Sequence, residues 1–167
     1  MTQEDKELLL KDLCARLNTN LVCSIYRTDD QGVGYRNEIL YGYSNIEGWD
    51  EFYFGEDCGI SIDCVSKIKP YLFPLSSMTE EQKSQYNFYL TRIVFAYDAS
   101  LLIDWLNNNH FDYRGLIKKG LAIDAAGLNI YWIMKKYNII FSDLDGTLIN
   151  TISEIILILV LIVLQMP

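Results

Sequence analysis

Leu21-Val22-Cys23-Ser24-Ile25-Tyr26-Arg27 places Leu, Cys and Ile at alternate positions against more polar neighbours. Alternate side chains share a face only in a pleated strand, so this stretch reads as a short strand with one face turned to a core. Asp29-Asp30-Gln31-Gly32 behind it is turn chemistry, with carboxylates that bond their own backbone and a glycine free of Cβ constraints. Residues 36–43, 51–54 and 59–65 read as three further strands, and the set predicts a small antiparallel sheet. Upstream, Thr2 suits a helix N-cap, and Glu4 and Asp5 follow in the first turn, where the helix dipole favours acids. Leu9, Leu13 and Leu17 recur at i+4 beside Leu10 and Cys14, which predicts an amphipathic helix over residues 3–17, stopped by Asn18-Thr19-Asn20. Downstream, Lys69-Pro70-Tyr71-Leu72-Phe73-Pro74 is held extended by its two prolines. Thr79 with Gln82 forms a capping box (Ser77 with Glu80 is the other register) and predicts a helix to about residue 95. A second helix is expected over residues 98–108, with Leu101, Leu102, Trp105 and Leu106 on its buried side and Asn107-Asn108-Asn109 as its stop. Asp112 is expected to cap a short helix through Lys119 that Gly120 ends. Helix, small sheet and helical hairpin make residues 1–124 an α+β domain.

Composition narrows the function classes. A chain of 167 residues, 50% apolar and 22% charged, suits one globular domain, or a small domain with an appendage. The net charge of −8 argues against a nucleic-acid partner, which needs clustered Lys and Arg to neutralise phosphates. Nine carboxylates between Asp29 and Asp63 face the single base Arg36, so that segment accounts for the whole net charge of −8. It reads as a solvated acidic surface, or alternatively as a docking face for a basic partner protein. Cys14, Cys23, Cys58 and Cys64 match no zinc spacing, and no leader opens the chain, so reduced thiols in a cytoplasm are expected. His110, the one histidine, reads as a structural residue between two helices rather than half of a nucleophile–base pair. The helix–turn–helix outline of residues 98–119 offers only Arg114, Lys118 and Lys119 as cations, and so reads as a packing hairpin rather than a DNA reader. Tyr41, Tyr43, Trp49, Phe52 and Phe54 are expected on alternating strand faces, mostly in the core.

A second stretch carries chemistry. Tyr137-Asn138-Ile139-Ile140-Phe141-Ser142-Asp143-Leu144-Asp145-Gly146-Thr147-Leu148 runs from a β-branched apolar segment into Asp-x-Asp-Gly-Thr. A carboxylate at the end of a buried strand can attack phosphorus, and a second one two positions on can trade a proton with the leaving group and the attacking water. The pattern resembles the first motif of the haloacid dehalogenase superfamily of phosphatases and phosphotransferases. That resemblance implies Asp143 as nucleophile, Asp145 as acid/base, and a magnesium ion held by Asp143 and Asp145. The Ser or Thr, the Lys and the further acidic pair of complete members belong downstream of this motif, and the residues after Thr147 contain neither Lys nor Asp. The expectation is therefore a truncated, inactive fragment over residues 134–153, joined to the first domain by a junction at 125–133 and followed by an apolar tail at 154–167.

Three phrases carry another resemblance. Met1-Thr-Gln-Glu-Asp-Lys-Glu-Leu-Leu-Leu-Lys-Asp-Leu-Cys-Ala-Arg-Leu, Lys69-Pro-Tyr-Leu-Phe-Pro-Leu-Ser-Ser-Met-Thr-Glu-Glu-Gln and Asp104-Trp-Leu-Asn-Asn-Asn-His-Phe-Asp-Tyr-Arg-Gly-Leu-Ile are similar to those of a family of small uncharacterised proteins from gut bacteria and their phages. The family brings no activity with it. The implied role is a non-enzymatic accessory or interaction protein of a phage or mobile element; the alternative is a magnesium-dependent phosphohydrolase with Asp143 as nucleophile.

The tail poses its own alternative. Residues 155–164 are ten unbroken apolar positions, about 15 Å as a helix against a hydrocarbon core of about 30 Å. Residues 148–166 reach roughly the needed length but include Asn150, Thr151, Ser153 and Glu154. A membrane-associated tail and a segment buried on its own domain are both expected readings.

Overall fold

Thr2 starts the first helix with two reciprocal bonds. Its hydroxyl accepts the Asp5 N–H at 3.1 Å, and the Asp5 carboxylate accepts the Thr2 N–H at 3.2 Å. Two donors that the first turn leaves open are thereby satisfied. Helix α1 (Gln3–Ala15) follows, ending two residues before the expected Leu17. Beyond it Asn18 and Asn20 take left-handed φ values of 69° and 56°, a conformation asparagine tolerates better than most side chains. The structure, a computed structural model, describes residues 1–29, 32–46, 49–55, 58–93 and 96–131.

Six strands follow: β1 (Val22–Asp29), β2 (Gly32–Ile46), β3 (Trp49–Phe54), β4 (Cys58–Ser61), β5 (Ile68–Leu72) and β6 (Ile123–Asp124). Their order across the sheet is β4-β3-β2-β1-β5-β6. The alternation in β1 has the expected consequence. Cys23 lies opposite Glu38 and Pro70, and Ile25 opposite Arg36 and Ile68, so each set shares one face. That face carries Leu40, Phe52, Phe54 and Leu72 as well, and Leu9 and Leu13 of α1 close over it, with Leu116 and Leu121 completing the cluster. Fully burying a side chain of this size contributes roughly 1.5–3 kcal/mol, which makes this cluster the main hydrophobic support of the sheet.

Four expectations are corrected. The four expected strands pair antiparallel as anticipated, but the whole sheet is mixed, because β6 runs parallel to β5 with Tyr71 beside Ile123 and Leu72 beside Asp124. Parallel neighbours need a long crossover, and the helical hairpin between β5 and β6 provides it. The strand expected over residues 59–65 stops at Ser61, and a 3-10 turn (Ile62–Lys67) carries the chain from the β4 edge back to the far side of β1. Tyr41 is 73% exposed rather than in the core. The pairing of β2 with β3 shifts register between Leu40 and Gly42, and the bulge leaves Tyr41 without a cross-strand partner there. Finally, residues 112–119 form turns, not a helix. Gly115 sits at φ 73° in the middle of the segment, which interrupts any right-handed helix, although Asp112 still accepts the Leu116 and Ile117 N–H groups at 2.9 and 2.8 Å.

The helical hairpin has a smaller core of its own. Helix α2 (Glu80–Thr91) opens on the expected box, with the Thr79 hydroxyl accepting the Gln82 N–H at 3.2 Å and the Gln82 side chain accepting the Thr79 N–H at 2.9 Å. It ends at Thr91, four residues short of the expectation, and helix α3 (Ala96–Asn108) follows. Leu102, Leu106, Met78 and Phe111 are buried together, and Trp105 stacks on Phe111 with ring centroids 5.6 Å apart. Leu101, expected on the buried side of α3, is exposed instead. The i, i+4 stripe through Leu102 and Leu106 faces inward, and Leu101 lies on its flank.

The packed chain runs past Asp124. The Ala125 N–H donates to the Leu72 carbonyl at 2.8 Å, and the Tyr131 hydroxyl donates to the Tyr71 carbonyl. Among the described residues no helix is long and apolar enough to cross a membrane. The residues 134–153 and the apolar run at 155–164 lie outside the described residues.

Candidate functional site

A buried ion pair joins α1 to the turn that follows α3. Asp12 on α1 and Arg16 at its C-cap stand one turn apart, both fully buried. Arg16 Nε donates to Asp12 Oδ2 at 2.8 Å and Nη2 to Oδ1 at 3.2 Å, so the guanidinium grips the carboxylate with two parallel bonds. The remaining edge of the guanidinium reaches away from the sheet core: Nη2 donates to the Phe111 carbonyl at 2.8 Å, and Nη1 to the Asn107 carbonyl at 3.4 Å. A flat, five-donor group can satisfy a carboxylate and two carbonyls at once, which a lysine ammonium on the same stem cannot do in this geometry.

Arg114 approaches from the turn after Phe111. Its Nε lies 3.3 Å from Asp12 Oδ1 but is not aligned for a hydrogen bond, so the contact is ionic only. The Tyr113 ring lies near both guanidinium carbons, 5.5 Å from that of Arg16 and 4.7 Å from that of Arg114. Both distances suit cation–π attraction. The Tyr113 hydroxyl donates to Asn107 Oδ1 at 3.0 Å, and burial pushes the phenol above its ordinary value. Two cations thus share one carboxylate, with an aromatic face and two carbonyls supplying the rest of the negative field.

Burial raises the pKa of two groups beside the cluster, Cys23 and Tyr131, and favours their neutral forms. Cys23, fully buried on β1, has its thiol pushed well above the ordinary range, first by loss of solvent and then by the Asp12 charge, with Arg16 opposing. A thiol so protected is not a nucleophile at neutral pH. Burial likewise pushes the Tyr131 phenol far above its usual value, and the nearby Cys23 adds to it. His110 takes φ 57° after the α3 stop and stacks face to face on Tyr131, ring centroids 4.1 Å apart and planes within 7°. Its carbonyl accepts the Phe73 N–H at 2.9 Å and its N–H donates to the Asn107 carbonyl at 3.0 Å. His110 therefore joins the end of α3 to the end of β5. What this arrangement does chemically is hold the α1–sheet core against the α3 hairpin; it presents no reactive atom to solvent.

Asp143 and Asp145 lie outside the described residues. Of the acidic segment, Glu38 is described and pairs with Arg27 at 2.6 Å, both side chains being largely buried. Among the described residues no group of three or more His, Cys, Asp or Glu is placed to hold a metal ion. Sequence reading missed Asp12, Arg16 and Arg114. The available signal was positional: Leu9, Asp12, Leu13 and Arg16 follow i, i+3, i+4, i+7, so opposite charges four apart fall on the apolar stripe itself. Comparison with protein-family models, with curated proteins and with solved structures finds no match to this chain.

Proposed function

We propose that this chain is a non-enzymatic interaction protein, of the accessory kind that phages and mobile elements carry, and that it acts through protein contacts. The observation that carries the reading is where the apolar surface lies. Phe88, Leu101 and Ile103 on the hairpin and Val33, Tyr35 and Tyr41 on β2 stand exposed, while the buried charges at Asp12 and Arg16 are committed to holding the fold. Large exposed aromatics are the side chains that contribute most when a partner covers them. A basic partner suits the acidic segment between Asp29 and Asp63. The cytoplasm is the compartment that goes with reduced thiols; attachment to a membrane through residues 148–166 is the alternative placement.

A specific motif favours a second reading, a magnesium-dependent phosphohydrolase of the haloacid dehalogenase type. In this reading Asp143 would attack phosphorus and break its bond to the leaving oxygen, and Asp145 would protonate that oxygen. Asp145 would later take the proton of the water that hydrolyses the aspartyl-phosphate, and a magnesium ion held by Asp143 and Asp145 would supply charge neutralisation. One assay separates the readings: phosphate release from an aryl phosphate with magnesium, comparing the wild type with Asp143→Asn. We expect no release above background from either protein. Release by the wild type that disappears in Asp143→Asn overturns the interaction reading as the primary activity.

A further inference from the structure

We propose that the flank of α2 bordering α3, the stripe Glu81, Gln85, Phe88 and Arg92, is a self-association surface, on which a second copy of this chain docks antiparallel about a two-fold axis. The proposal deepens the interaction reading above by naming a partner and a surface. Helix α2 buries none of its own residues. Its half-buried Tyr86 and Tyr89 lean against Trp105 of α3. Between the two helices runs an open groove of about 500 Å³ lined by Ser84, Gln85, Phe88, Tyr89 and Trp105. Phe88, 54% exposed, forms its outer lip. Trp105 Nε1 donates to Gln85 Oε1 at 3.2 Å, which holds the opposite wall in place.

The charges on this face select the occupant. Glu81, Gln85, Phe88 and Arg92 follow one another at spacings of four, three and four residues, a single stripe along the helix. The stripe is acidic at its start and basic at its end, about 16 Å apart along the axis. Arg92 lies over the Phe88 ring at 4.8 Å, which leaves its charge at the surface, and neither Glu81 nor Arg92 forms an ion pair among the described residues. A purely basic or purely acidic partner satisfies one end of such a stripe and is repelled by the other. A second copy running the opposite way satisfies both: Glu81 meets Arg92 of the other copy, Gln85 meets Phe88, and both relationships repeat across the axis, as an isologous contact requires. The axis passes level with residues 86–87, the midpoint of the stripe. An aromatic centre flanked by charges is the composition expected of an interface core and its rim.

The test uses the full chain with two different affinity tags, co-expressed and recovered through one tag. The wild type should capture itself, more strongly in roughly 0.05 M than in 0.5 M salt, because exposed charge pairs are screened. Glu81→Arg and Arg92→Glu each place like charges at both ends of the dimer and should weaken self-capture at least about tenfold. Mixed together, the two variants present opposite charges at both ends, so capture of one by the other should return, as should self-capture of the double variant. Misfolded variants do not regain association on mixing, so the cross-capture guards against loss of fold. Self-capture indifferent to both substitutions, as association through the apolar residues 155–164 would give, overturns the proposal, as does a wild type that remains monomeric at about 100 μM by light scattering. The phosphate-release assay involves no residue of α2, so failure here leaves the interaction reading standing, and failure there leaves this surface standing.

Discussion

Arg16, the C-cap of α1, donates a 2.8 Å hydrogen bond to the carbonyl of Phe111, ninety-five residues further along the chain. The same guanidinium holds Asp12 on its own helix. One side chain therefore links the hydrophobic cluster over the sheet to the cluster within the helical hairpin, two groups of apolar residues that otherwise close separately.

The first prediction concerns that link. Removing one member of a buried pair leaves the other charged and without its counter-ion, at a cost of about 3–5 kcal/mol. Arg16→Met and Asp12→Leu should each lower the unfolding free energy obtained from urea titration by an amount in that range. The double variant Asp12→Leu/Arg16→Met should be less destabilised than either alone, since it leaves no orphan at the pair and only Arg114 to rehydrate. If both single changes cost less than about 1 kcal/mol, the pair is not the tie described.

Alkaline pH should weaken the fold in two steps. Burial raises the Cys23 thiol well above its reference value of 9.0, and the Tyr131 phenol above its reference value of 10.0. Both groups are neutral when protonated, so their contribution is fully present below the unfolded value and is lost as pH climbs from there toward the folded one. Above pH 9.0 the unfolded chain sheds the Cys23 proton and the native chain does not, which costs up to about 1.4 kcal/mol per pH unit. Melting temperatures recorded between pH 8 and pH 10.5 should fall, and Cys23→Ala should flatten the first part of the decline. An unchanged slope in that variant would contradict the assignment.

Thr79→Ala should loosen α2 alone. The cap removes an unsatisfied donor from the first turn, and losing it costs about 0.5–2 kcal/mol of helix stability. Because α2 buries no side chain, the loss should appear as faster amide exchange over residues 80–91, with the global melting temperature almost unmoved. Equal slowing or quickening across the whole sheet would show α2 to be integral to the cooperative unit.

Gly115→Ala isolates a backbone cost. A Cβ at this position meets nothing within 4 Å, so no clash arises, but the residue sits at φ 73°. Holding a non-glycine residue there costs about 1–2 kcal/mol. An unfolding free energy lowered by that amount in denaturant titration, with unchanged spectra, is the expected result; a neutral substitution would mean that the turn between Asp112 and Gly120 re-forms another way.

Local chemistry decided much of this chain in advance. Thr2 with Asp5, and Thr79 with Gln82, had to begin helices, because each pair satisfies open backbone donors within four residues and needs nothing from the rest of the molecule. Leu21, Cys23 and Ile25 had to share a face, because a pleat has a period of two. Asp112 bonds backbone donors downstream as its position suggested, yet whether a helix followed depended on the conformation of Gly115, which the sequence leaves open. Tyr41 left the core through a one-residue register shift that depends on how β3 meets β2. The parallel edge of β6 and the reach of Arg16 to Phe111 belong wholly to tertiary structure. Both require segments separated by dozens of residues to arrive at the same place, and pattern within one segment holds no information about distance to another. What Arg16 showed in the sequence was a charge on an apolar stripe; only the packed chain supplied the carbonyls that make such a charge stable there.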